Sequence, residues 1–120
     1  MNDAVSRCEQ LIAHAKSNIQ EIEVMAVKQN INTDQPIKII DIREDSEWQN
    51  GHLPTAIHLN RGLLELKIET IIPDVHTPII LYCAGGGRSA LAALSLQTMG
   101  YTHVQSMAGG FKAWTKATVP

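Results

Sequence analysis

Cys83 is followed by Ala84, then by Gly85, Gly86 and Gly87, and then by Arg88 and Ser89. A glycine run lets the backbone turn its N–H groups inward without Cβ clashes. A concave ring of N–H groups at a helix N-terminus binds anions. A thiol at the centre of such a ring ionises more readily than an ordinary cysteine, and the thiolate is the attacking form. The segment therefore reads as a cysteine nucleophile in an anion cradle. No His adjoins Cys83, so activation falls to the loop and the helix dipole. Arg88 adds a positive charge, suited to binding an anionic donor or to holding the loop. The competing reading is a structural cysteine buried before a glycine-rich turn. The second thiol, Cys8, shares an apolar spacing with Val5, Leu11, Ile12, Ala15, Ile19 and Ile22, which assigns it to a helix face as a small hydrophobe.

The cradle needs a strand before it and a helix after it. Ile79-Ile80-Leu81-Tyr82-Cys83, after Pro78, is a continuous apolar run that reads as a strand covered on both faces. Ile37 to Ile42, after Pro36, reads the same way. Weaker strands are expected at 22–25, 56–59 and 103–107. Helices are expected at 4–20, capped by Asn2 or Asp3, and at 46–49, 63–71, 89–99 and 110–116. Gly100 closes the fourth of these. Strands alternating with helices give an α/β domain with a mostly parallel sheet, whose ligands sit beyond the carboxyl ends of the strands.

Asp41 and Arg43 fall at that edge, after one strand, as the Cys83 loop falls after the other. They are expected to pair and fix neighbouring loops, with Glu47 as a partner for Arg43. Arg61 is either a cation at the mouth of the site or half of an i,i+4 pair with Glu65. Trp48 and Trp114 are expected to pack. His14, His58, His76 and His103 are scattered without metal-ligand spacing, so no metal or other cofactor is expected.

Composition bounds the function. The chain has 120 residues, 44 % of them hydrophobic, which suits one domain with an aliphatic core. Its net charge of −2 gives no basic field for nucleic acid. Two cysteines make no disulfide framework. No run of about 18 apolar residues spans a membrane, and Met1 to Ala4 begin no signal peptide. A cytoplasmic domain is expected.

Four ordered segments resemble the rhodanese-like family. They are Asp41-Ile42-Arg43-Glu44 with Glu47-Trp48; Gly51-His52-Leu53-Pro54-Thr55-Ala56; Tyr82-Cys83 through Arg88-Ser89; and Gly100-Tyr101, Val104 and Gly109-Gly110-Phe111 to Trp114. The likeness runs from about residue 22 to 117. Arg61-Gly62 with Leu64-Glu65 is similar to an extension of some single-domain bacterial members. The resemblance implies a five-stranded parallel sheet with helices on both faces over 22–120, and leaves 1–21 as a helical addition. It implies a sulfurtransferase in which Cys83 takes sulfane sulfur from thiosulfate or a persulfide and passes it to cyanide or a thiol. A protein persulfide or thiol-redox protein is a further partner of that chemistry. Ala84 to Ser89 would hold the persulfide, and His52 would make a turn or loop hydrogen bond. The alternative is a non-catalytic sulfur carrier or protein-binding module. Four residues separate Cys83 from Arg88, one fewer than in the family's phosphatase-like relatives, and Tyr82 replaces their His. Thr55 stands where the family has Gly. The loop also lacks the cationic side chain that follows Cys in thiosulfate-preferring members.

Overall fold

A computed structural model describes residues 5–33 and 36–118. The elements in chain order are α1 (Arg7–Asn18), β1 (Gln20–Ile22), α2 (Val24–Asn32), β2 (Lys38–Asp41), α3 (Asp45–Gln49), β3 (Ile57–His58), a 3-10 turn (Arg61–Leu63), α4 (Leu64–Ile71), β4 (Ile79–Tyr82), α5 (Gly87–Thr98), β5 (Val104–Met107) and α6 (Gly110–Thr118). The strands form one parallel sheet in the order β1-β5-β4-β2-β3. All four residues of β4 are buried, as expected of a central strand covered twice.

Alternate residues of the central strands feed two cores. Ile40, Leu81 and Cys83 join Leu64 and Ile68 of α4 and Ala92 and Leu96 of α5. Ile39, Ile80 and Tyr82 join Val24 and Val27 of α2 and Trp114 of α6. Helices therefore cover both faces, and α1 packs against α5.

Three expectations fail. Residues 24–32 form α2, not a strand, and β1 ends at Ile22. A short apolar run such as Ile22 to Met25 fits either state, and here tertiary packing of Val24 and Val27 decides. The first helix is shorter than 4–20 and is capped by Ser6, whose side chain accepts from Glu9 N–H in a capping box. Asn2 and Asp3 lie outside the described residues. Cys8 is exposed rather than packed on an apolar face. The helix lies at the surface and turns only Ala15 fully inward, leaving Val5 and Leu11 more than half exposed.

Candidate active site

The register of the sheet assembles the site at the carboxyl ends of β2, β4 and β5. Asp41 stands beside Tyr82, and Ile42 N–H donates to Tyr82 O at 3.1 Å. Leu81 stands beside Ser106 of β5. Cys83 follows β4 directly and is 1 % exposed, at the edge of the core shared with α4 and α5.

The loop closes on that sulfur. Gly86 N–H donates to Cys83 Sγ at 3.1 Å and Ser89 N–H at 3.3 Å. Gly86 reaches this position at φ +101°, in the left-handed region that glycine adopts freely. Ser89 Oγ lies 3.5 Å from Sγ and 2.7 Å from Ser106 Oγ, and both serines are fully buried. The start of α6 braces the loop from behind: Phe111 N–H donates to Cys83 O at 2.7 Å and Lys112 N–H to Ala84 O at 3.0 Å. Two main-chain donors aimed at one sulfur stabilise negative charge there.

Asp41 and Arg43 form the expected pair, buried at side-chain exposures of 0 % and 5 %. Arg43 Nε and Nη2 donate to the two carboxylate oxygens at 3.0 and 2.7 Å, and Nη2 also donates to Gly51 O at 2.7 Å. The guanidinium lies 4.2 Å from the Phe111 ring centre. Burial works against its charge, yet Asp41 outweighs burial and holds the Arg43 pKa above its ordinary value. Arg43 thus ties the ends of β2, α3 and α6 together behind the loop. Burial first, and Asp41 second, push the Tyr82 phenol above its usual range; the neutral hydroxyl accepts from Leu53 N–H at 3.1 Å.

Glu47 does not partner Arg43. Both oxygens of its carboxylate accept from Arg88, Nη1 and Nη2 each at 3.1 Å. The reason is reach: Arg43 is turned inward onto Asp41, while Arg88 at the start of α5 faces α3. That hydrogen bonding holds Glu47 below the usual carboxylate range and raises Arg88, to which Cys83 adds a smaller share. Arg61 is paired with Glu65 at 2.7 Å, and Ser95 also donates to Glu65 at 2.6 Å. His52 Nδ1 is 3.1 Å from Leu53 O, and its ring stacks on Trp48 at 3.5 Å. His58, on the other strand edge, stacks on Trp48 at 5.0 Å and holds Arg43 O at 2.7 Å.

Sequence reading missed Ser106, His58 and the Tyr82 hydroxyl. Nothing local marks them, since each acquires its role from strand register. Two surface clefts of about 290 and 390 Å³ line the amino ends of the strands, one at Pro36 and Lys38, the other at Pro78 and His103. The Cys83 loop stands at the opposite edge, where α/β sheets place their chemistry.

The family model for the rhodanese-like domain matches residues 23–117. A Bacillus subtilis protein that bears a sulfurtransferase name, YtwF, is 34 % identical over 102 residues, covering 85 % of this chain and 96 % of its own. A Bacillus subtilis protein that bears a sulfur-carrier name, YrkF, is 30 % identical over 85 % of this chain, which spans only 54 % of that longer relative. A Rhodopseudomonas palustris structure of unknown function, described as a possible tyrosine phosphatase, superposes with a TM-score of 0.86 at 32 % identity over 100 % of this chain and 98 % of its own. The glycine cradle on a β4–α5 turn, the ordered flanking motifs and the match over 95 of 120 residues agree, and the chain belongs to the rhodanese-like domain family.

Proposed function

We propose that this protein is a rhodanese-type sulfurtransferase with Cys83 as its nucleophile, working in the reducing cytoplasm. The observation that carries the reading is the convergence of Gly86 and Ser89 N–H groups on Cys83 Sγ. The Cys83 thiolate attacks the outer sulfur of a donor. With thiosulfate, the S–S bond breaks and sulfite leaves with its electron pair, so the charge carried by the thiolate moves onto the new terminal sulfur. The loop amides then face a persulfide anion. Cyanide or a thiolate attacks that terminal sulfur, the S–S bond breaks again, and Cys83 departs as thiolate. Ala84, Gly85 and Gly87 contribute backbone to the cradle, Arg88 shapes its rim, and Asp41, Arg43 and His52 support it from behind. Sulfurtransferase names among the relatives favour this reading.

Incubation with thiosulfate or an organic persulfide is expected to add about 32 Da at Cys83, the mass of one sulfur. Cyanide or a thiol then removes the adduct catalytically. Cys83→Ser is expected to lose both adduct and turnover, and turnover retained in that variant would falsify the assignment. The name of the relative YrkF favours a second reading, a sulfur carrier. An adduct that forms but never discharges to cyanide or small thiols would select it.

A further inference from the structure

Three arginines stand at the carboxyl edge of the sheet, and each is matched to a carboxylate: Arg43 to Asp41, Arg61 to Glu65 and Arg88 to Glu47. Arg88 is the only Lys or Arg between Cys83 and Ser89. Both terminal nitrogens of its guanidinium donate to Glu47, in two parallel bonds of 3.1 Å each. Glu47 is itself held in place from its own helix. Its Oε1 accepts from Glu44 N–H at 2.9 Å, in a capping box at the start of α3. The carboxylate is therefore a fixture of the rim rather than a counter-ion that drifts in. Glu44 also acts electrostatically on Arg88 from the same side. An anionic donor arriving at Cys83 meets a cation neutralised by Glu47 and flanked by a second carboxylate, and must compete with Glu47 for the paired Nη1 and Nη2 of Arg88.

We propose that Glu47 determines donor specificity: by clamping Arg88 it removes the cationic hook of the Cys83 loop, so that the site selects sulfane-sulfur donors with neutral or cationic tails over anionic ones such as thiosulfate. The proposal rests on the reading of Cys83 as the sulfur acceptor. The chemical step is common to all donors. The Cys83 thiolate attacks the terminal sulfur of R–S–SH, the S–S bond breaks, R–S⁻ leaves, and the proton stays on the new Cys83 persulfide. Only the tail R samples the Glu47–Arg88 pair.

The test uses two persulfides of similar size, those of cysteamine and of 3-mercaptopropionate, with thiosulfate as a third donor. The measurement is the ratio of kcat/KM for the cationic over the anionic tail. Wild type is expected to favour the cysteamine donor. Glu47→Gln keeps the acceptor for Glu44 N–H, since Gln serves the capping box as Glu does, and removes the charge together with the second acceptor for Arg88. It frees Arg88 and is expected to lower the ratio roughly tenfold, with a parallel gain for thiosulfate over the cysteamine donor. Arg88→Ala leaves Glu47 uncompensated and is expected to raise the ratio. Opposite movements cannot come from general damage to the loop. A wild-type preference for anionic tails, no movement in Glu47→Gln, or movement of both variants in one direction would overturn the role of Glu47 while leaving sulfur transfer intact. Absence of turnover and of a Cys83 adduct with all three donors would overturn the sulfur-transfer reading, and this proposal with it.

Discussion

Thr55 sits at φ +66°, the only left-handed non-glycine among the described residues. A β-branched residue there costs roughly 1–2 kcal/mol, because Cβ crowds the following carbonyl. The side chain is exposed, so no packing offsets that cost. Glycine adopts the conformation freely but loses more unfolded-state entropy, roughly 0.5–1 kcal/mol. The first effect is the larger. Thr55→Gly is expected to raise the thermal midpoint by a few degrees, about 0.5–1 kcal/mol, in a scanning calorimeter; a lower midpoint would show that Thr55 is held by contacts worth more than its strain. The departure of Thr55 from the family pattern was legible in the sequence as a turn effect, and it is one. The partner of Glu47 was not legible. Spacing offered Arg43 four residues away, whereas Arg88 is 41 residues away and arrives only when β2 and β4 pair in parallel and bring the segments that follow them together.

At the scale of elements, the Cys83 loop is held between the end of β4 and the start of α6. Two glycines there behave oppositely. Gly110 has φ +59°, and a Cβ on it would run into the backbone of Cys83 and Ala84. Backbone on both sides cannot yield as a side-chain tip does. Gly110→Ala is expected to cost more than about 2 kcal/mol and to displace the loop, slowing iodoacetamide alkylation of Cys83. Gly85 has no neighbour within 4 Å and no left-handed φ, so Gly85→Ala is expected to stay within about 0.5 kcal/mol of wild type in urea. Equal losses for the two would show that flexibility of the loop, not contact with α6, matters. The sequence marks both positions only as glycine. It distinguishes neither, because the obstacle at Gly110 comes from a loop 26 residues away.

For the whole molecule, the first helix packs along α5 of the family core, most tightly at the start of α5. A Cβ on Gly87, the first residue of α5, would stand 2.9 Å from Ile12 Cδ1 of α1. Ala15 of the same helix is fully buried. The expected boundary between 21 and 22 falls inside β1, whose Gln20 and Glu21 pair with β5, so we propose that the addition ends with α1 and that it braces the helix carrying Arg88 and Ser89. Removing residues 1–18 is expected to leave a folded domain, since both cores lie almost wholly within the later elements, but one less stable by about 2 kcal/mol in urea unfolding. An unchanged midpoint would make α1 an appendage without structural weight. Among the described residues no helix is long and apolar enough to cross a membrane.

What the sequence determined by itself was local. The apolar runs at 37–42 and 79–83, the glycine turn after Cys83 and the stop at Gly100 each depend on neighbours a few residues away. Such signals carry the strand-loop-helix unit and the place of Cys83 within it. Only the tertiary structure decided what the side chains touch. Parallel register set Ser106 beside the cradle and Asp41 beside Tyr82. Helix packing turned Cys8 outward and made a helix of 24–32, and the pairing of β2 with β4 gave Arg88 to Glu47. The physical reason is that propensity and periodicity act along the chain, whereas burial, register and charge pairing act across it.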